Sequence, residues 1–332
     1  MTRKFIAAEV AFLLFPMLMF AIAAHSAEEV TLAVNGKAMY PVVVSPEASE
    51  RVCTTADTLA RYLGQIAGTE FAVTAGDGET GIAIGLARDF AALQLASRFD
   101  ATDIHRREEY LLRSHADGLW LIGATDLAVE HAVWDLLYRL GYRQFFPGPT
   151  WEVVPRLEAV RIAVDDFERP AYYARRIWYG WGPWDYAQEP YAEWCARNRC
   201  VQGIALNTGH AYGRIVKWTR EEFEAHPEYW PLLDGERKET SNAKPCLGNP
   251  EVRALFVKYA LEQFENNPSL DSISMDPSDG GGWCECSLCE DMGTVSDRVV
   301  TVANEVAAAV DANFPGKLVG IYAYNYHSPP PN

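Results

Sequence analysis

The most constraining feature of this sequence is the alternation, in its second half, of short apolar runs with helical stretches. Ile177–Tyr179, Gly203–Leu206, Ser272–Met275 and Leu318–Tyr324 read as successive buried strands, and Val299, Ala303, Val306, Val310 and Phe314 recur at helical spacing before the last of them. Alternation of this kind predicts a parallel sheet, whose common closures are a doubly wound sheet or a (β/α)₈ barrel. Roughly four strand–helix units fit after residue 170, whereas a complete barrel takes about 250 residues, so the expectation is a partial TIM-type barrel. The sequence stops at Ser328-Pro329-Pro330-Pro331-Asn332, directly behind a strand, which leads us to expect a fragment of a longer protein.

The first half has a different texture. Val30–Val34, Phe71–Val73 and Gly81–Gly85 are β-prone runs. Between the first two, Val52, Ala56, Leu59, Leu63 and Ile66 mark one helical face, with Gly68 as a stop. Tyr110–Leu112 and Leu119–Ile122 predict a hairpin around Ala116-Asp117-Gly118, and Val129, Val133, Leu136, Leu137 and Leu140 a helix closed by Gly141. These elements describe a small α/β sandwich. Chain breakers from Phe146-Pro147-Gly148-Pro149 to Pro155 suggest a linker, dividing the chain into 28–150, a linker at 151–170, and a barrel-like part at 171–332.

Arg3 and Lys4 precede an uncharged run from Val10 to Ala24 followed by small residues, the pattern of a signal peptide over residues 1–27. At about 15 residues that run is shorter than the ~20 of a membrane span, so no membrane association is expected once it is removed, and the destination is secreted or periplasmic. With 45 acidic against 29 basic side chains, net −16, the chain repels polyphosphate, and no nucleic acid is expected as a partner. Oligomeric state is not legible. The seven cysteines would sit in an oxidising compartment.

Chemistry concentrates in the second half. Trp178, Trp181, Trp184, Trp194, Trp218, Trp230 and Trp283 are seven of the ten tryptophans, and flat aromatic faces suit the C–H faces of sugar rings. Trp181 and Trp184, just past a strand end, and Trp283 are candidate substrate-binding residues. Asp276 and Asp279, in Asp276-Pro277-Ser278-Asp279-Gly280-Gly281-Gly282, follow the strand Ser272–Met275, where barrel sites form. Glycosidic hydrolysis uses two carboxyl groups, so both are candidate catalytic residues; a turn capped by the two aspartates is the structural alternative. Because they share one loop, a second carboxylate from another strand is also expected. His210, Tyr326 and His327 also follow strands and are candidates for bonding sugar hydroxyls. Cys284, Cys286 and Cys289 form a C-x-C-x₂-C group to which Cys246 supplies a fourth sulfur, either as a structural zinc site or as disulfides. No cofactor is expected for catalysis itself. Cys195 and Cys200 have poor spacing for a bridge, and Cys53 reads as a core residue.

Several segments together resemble known families. Glu109-Tyr110-Leu111-Leu112, Leu121-Ile122-Gly123-Ala124, Ala132-Val133-Trp134-Asp135-Leu136-Leu137 and Leu140-Gly141-Tyr142-Arg143-Gln144-Phe145-Phe146-Pro147-Gly148 resemble the amino-terminal domain shared by bacterial alpha-glucuronidases and beta-hexosaminidases. His226-Pro227-Glu228-Tyr229-Trp230-Pro231-Leu232, Asp234-Gly235-Glu236-Arg237, Cys246-Leu247-Gly248-Asn249-Pro250-Glu251-Val252, Asp279-Gly280-Gly281-Gly282-Trp283-Cys284-Glu285-Cys286 and Tyr322-Ala323-Tyr324 are similar to the secreted bacterial family called domain of unknown function 4838. The resemblance implies a glycosidase-type barrel behind a non-catalytic α/β domain, acting on polysaccharide or glycan outside the cytoplasm. It also implies that the family's barrel continues past Asn332. The expected function is therefore an exported glycoside hydrolase with a carbohydrate substrate. A non-catalytic glycan-binding protein and a zinc-stabilised structural protein are the alternatives.

Overall fold

A computed structural model describes residues 27–175, 177, 185–240 and 244–332. The signal-like run, the strand expected at Ile177–Tyr179 apart from its first residue, and Trp178, Trp181 and Trp184 lie outside the described residues. Among the described residues no helix is long and apolar enough to cross a membrane.

The first unit is built on a six-stranded mixed sheet in the order Asp165–Glu168, Tyr110–His115, Gly118–Gly123, Gly81–Leu86, Val42–Val44, Val73–Ala75. The last four strands in that order are parallel to one another, and the first three are joined by antiparallel pairings. Side chains alternate between the two faces, as the pleat requires. Ile82, Ile84, Leu112, Leu119 and Leu121 join the core that contains Leu59, Leu63, Ile66, Val133 and Leu137 of the helices Glu50–Ala67 and Asp126–Arg139. Ala83, Leu111 and Ile122 face the other way, onto Phe90 and Leu95. Ser49 and Thr125 cap the helices, each accepting a hydrogen bond from a first-turn backbone N–H. Gly118 lets two strands approach closely: a Cβ there would lie 1.9 Å from the Gly81 carbonyl oxygen.

Two expectations for this half are corrected. The strand that pairs in parallel with Val73–Ala75 and Gly81–Leu86 is Val42–Val44, whereas Glu29–Val34 pairs antiparallel with Ala159–Ala163 in a separate small sheet. The stretch read as a linker therefore carries structure: Ala159–Ala163 and Asp165–Glu168 both pair with first-unit strands. Alternation in Ala159-Val160-Arg161-Ile162-Ala163, with Val160 and Ile162 buried, outweighs the neighbouring prolines.

The second unit contains a parallel pair, Ser272–Ser274 beside Leu318–Gly320, joined through the helix Val295–Asn313. That helix packs on Pro250–Asn266, with Val302, Val306, Val310, Phe256, Ala260 and Phe264 in one core. The expected run of strands is shorter than the sequence suggests. Gly203–Leu206 is not a strand, although it runs beside Ser272. The Asp271 carboxylate accepts the Ala205 N–H at 3.1 Å, and the Ser272 hydroxyl accepts from Asn207 N–H at 2.6 Å and donates to Ala205 O at 2.9 Å. Side chains thereby intercept backbone groups that a ladder would use. The last strand ends at Gly320 rather than Tyr324, because the Asp276 carboxylate takes the Tyr322 N–H at 2.9 Å. The architecture is mixed α/β, with one parallel β-α-β unit among the described residues of the half where a partial barrel was expected.

Candidate functional site

The carboxyl ends of the parallel pair and of the segment beside it gather the titratable residues of this half. Three backbone features set the register. Ala211 N–H donates to Asp276 O at 2.8 Å, the Ser274 hydroxyl donates to Gly209 O at 2.6 Å, and His210 and Asp276 form an isolated parallel bridge. Asp276 ends up fully buried at 0% exposure. Its Oδ1 accepts the Tyr322 N–H and lies 3.5 Å from His327 Nε2, while its Oδ2 lies 3.7 Å from His210 Nδ1. Oδ2 makes no hydrogen bond among the described residues, nor do the buried Tyr212 hydroxyl, Trp283 Nε1 and both ring nitrogens of His327. Buried polar atoms are almost always satisfied, so these unsatisfied ones stand out among the described residues. Burial pushes the Tyr212 phenol up, and the Asp276 charge adds to it.

Above this buried layer stands an accessible one. His210 Nδ1 lies 2.5 Å from the Pro277 carbonyl oxygen, and Nε2 lies 3.2 Å from Asp279 Oδ2. A carbonyl only accepts, so Nδ1 carries a proton and Nε2 faces the Asp279 carboxyl group. The two side chains form an ion pair whenever the imidazole is protonated. The Asp279 side chain is 64% exposed and that of His210 is 42% exposed, so the pair is within reach of solvent and ligand.

The loop Asp276–Gly282 is held from beneath by Lys244, which sequence reasoning missed. Its side chain is buried, donates from Nζ to the Asp279 and Gly280 carbonyls at 2.9 and 3.0 Å, and lies 5.1 Å from the centre of the Trp283 ring. Burial pulls its ammonium down to about 8, partly opposed by the nearby Asp279. Lys244 sits in a stretch without periodicity or motif, and its only sequence signal is the proline and cysteine that follow it.

The other candidates divide by exposure. Tyr326 is 54% exposed, and its hydroxyl would lie 3.5 Å from a Cβ on Gly281, so it borders the loop. His327 is buried beside Asp276 and does not face solvent. Asp276, equally closed off, does not present its carboxylate to solvent either. Trp283 is half-buried against Lys244. Trp230 lies in the second core, Trp218 is half-exposed against Tyr259 and Lys258, and Trp194 donates from Nε1 to Gln144 O at 3.1 Å, bonding the two units rather than facing a ligand.

The three cysteines of the C-x-C-x₂-C group and Cys246 converge. All four are buried, and their sulfur atoms lie within 4.8 Å of one another. The thiols are free, as are Cys53, Cys195 and Cys200. Cys53 is half-buried rather than enclosed in the core expected for it.

The family model described as "Domain of unknown function (DUF4838)" matches residues 146–332. No curated protein matches the chain. Among solved structures it is similar to BtGH115A, a GH115 4-O-methyl-alpha-glucuronidase with specificity for decorated arabinogalactans, at TM-score 0.41 and 14% identity, covering 86% of this chain and 41% of that one. It is also similar to Flavobacterium johnsoniae chitobiase, at TM-score 0.41 and 13% identity, covering 90% of this chain and 52% of that one. A third is Streptomyces plicatus N-acetyl-beta-hexosaminidase, at TM-score 0.38 and 14% identity, covering 90% of this chain and 64% of that one. The chain thus spans between 41% and 64% of the length of these structures.

Proposed function

The chain belongs to the domain of unknown function family DUF4838, and from that premise we propose that it is an exported, carbohydrate-active protein: a glycoside hydrolase acting on a polysaccharide or glycan in the periplasm or outside the cell. Export is supported by Arg3, Lys4 and the uncharged run that follows them. The observation that carries the hydrolase reading is the exposed contact between His210 and Asp279 at the carboxyl end of a parallel strand.

Cleaving a glycosidic bond begins with protonation of the leaving oxygen, a step suited to an exposed carboxyl group beside a histidine that can resupply its proton. Asp279 is that acid in this reading, and His210, oriented by the Pro277 carbonyl, returns the proton to it. Asp276 is a positioning residue: it fixes the Tyr322 backbone and stands between the two histidines without touching substrate. The second carboxyl group that hydrolysis uses is proposed to come from another strand. Tyr326 and Trp283 offer aromatic surface beside the loop, and Trp181 and Trp184 are carried forward as proposed sugar contacts. A glycan-binding role without turnover is favoured by one observation, the exposure of Tyr326 at 54% beside the same loop.

Incubation with a panel of plant, microbial and host glycans separates the two. Release of reducing sugar that falls about 100-fold or more in Asp279→Asn supports the hydrolase. Saturable binding by wild type and Asp279→Asn alike, with no sugar released, supports the binding protein and overturns the catalytic assignment.

A further inference from the structure

Beyond the carbohydrate reading, and independent of it, we propose that Cys246, Cys284, Cys286 and Cys289 bind one zinc ion as a closed, structural centre that fixes the loop carrying Asp279. Four thiolates around tetrahedral zinc at about 2.3 Å place their sulfurs about 3.8 Å apart. Here Cys246 Sγ lies 3.4 Å from Cys286 Sγ and 3.8 Å from Cys289 Sγ, and all four sulfurs lie within 4.8 Å of one another. The four residues are 0 to 7% exposed, so no open position faces solvent and the centre is structural rather than catalytic.

The surroundings suit thiolates rather than thiols. Backbone N–H groups of Leu232 and Gly248 donate to Cys284 Sγ at 3.3 Å and Cys289 Sγ at 3.2 Å, and the Arg237 guanidinium points Nη1 at Cys284 Sγ from 3.6 Å. Zinc with four thiolates carries net charge −2, which these donors and one guanidinium partly offset. Leu232 and Arg237 belong to a two-stranded hairpin, Leu232–Leu233 with Glu236–Arg237, turning through Asp234 and Gly235 at φ 51° and 80°. Gly248 allows the two cysteine-bearing segments to touch: a Cβ there would meet the Leu288 backbone carbon at 2.4 Å and the Cys289 nitrogen at 2.5 Å.

Position gives the ion its consequence. Cys246 lies two residues beyond Lys244, and Cys284 lies five beyond Asp279. The ion therefore ties together two irregular segments that also meet where Gly248 packs on Leu288 and Cys289 and where Lys244 Nζ donates to the Asp279 and Gly280 carbonyls.

The test is metal analysis of the purified chain after gel filtration in chelator-free buffer. About one zinc per chain is expected, with a Cys286→Ser or Cys246→Ser protein retaining less than about a tenth of it. Because loss of a buried cysteine can by itself disrupt folding, two further readouts are used. Wild type exchanged into cobalt(II) should show the visible ligand-field bands and thiolate charge transfer of a tetrahedral tetrathiolate, and Arg237→Met should bind zinc about 10-fold more weakly while keeping its circular dichroism. Native protein that carries no zinc, holds iron instead, or shows Cys246 linked by disulfide to one of the other three in peptide mapping overturns the proposal. Hydrolytic activity does not enter any of these readouts, so failure here leaves the carbohydrate reading standing, and the reverse.

Discussion

At the scale of single residues, the site is a buried charged layer beneath an exposed one. Lys244 is the most informative member. Its proton is lost near pH 8 in the folded protein but near 10.5 in the unfolded chain, so between those values the unfolded state binds more protons and stability rises with pH. Chemical unfolding of the wild type between pH 7.5 and 10.5 should show this rise, and Lys244→Met should abolish it. An unchanged slope in the variant contradicts the assignment. Asp279→Asn, whose side chain is 64% exposed, should shift unfolding free energy by no more than about 0.5 kcal/mol. Asp276→Ala should cost about 1–3 kcal/mol, because it orphans the Tyr322 N–H and opens a buried space. Asp276, Asp279, His210 and His327 were legible in the sequence because each follows an apolar run that ends in a turn. Their burial was not, since exposure depends on how neighbouring segments close over a strand end. Lys244 carried no pattern at all.

At the scale of elements, short irregular segments in the second unit are held by side chains more than by ladders. The helix Val295–Asn313 begins with a capping box in which Thr294 and Asp297 satisfy each other's backbone. Thr294→Ala should lower stability by about 1 kcal/mol in a denaturant titration. The Asp297 carboxyl is held down at about 2 by the Thr294 hydroxyl and the backbone N–H of Asn332, so its contribution is present above about pH 4 and lost as the pH falls through 2. Helices with clear periodicity, such as Glu50–Ala67 and Val295–Asn313, could be read from the sequence to within a few residues. Val42–Val44 could not, because three consecutive valines show no alternation. Gly203–Leu206 misled for the opposite reason: it is apolar and extended, but Asp271 and Ser272 side chains hold it where backbone pairing was expected.

At the scale of the whole molecule, ion pairs fasten the two units. Arg107 donates from Nη1 to both oxygens of the buried Asp271 at 2.9 Å, Arg199 pairs with Asp135 at 2.8 Å, and Arg175 pairs with Glu108. Asp271 immediately precedes the strand that leads to Asp276, so the first unit braces the site through it. Asp271→Ala should cost about 2–4 kcal/mol by leaving Arg107 unpaired and the Ala205 N–H orphaned, and should split a single thermal transition into two by calorimetry. Superimposable scans would show that the units do not depend on this contact. The mixed α/β character was legible from alternating runs, whereas these junction pairs, distant in sequence, were not. The account as a whole stands on the exposed pair His210–Asp279 and is tested most directly by the pH dependence of reducing-sugar release. Wild type should lose activity on the alkaline side, as an enzyme that needs a protonated acid does, and Asp279→Asn, folded to the same melting temperature, should release at least about 100-fold less sugar at every pH. Equal release by Asp279→Asn and wild type across the whole range would contradict it.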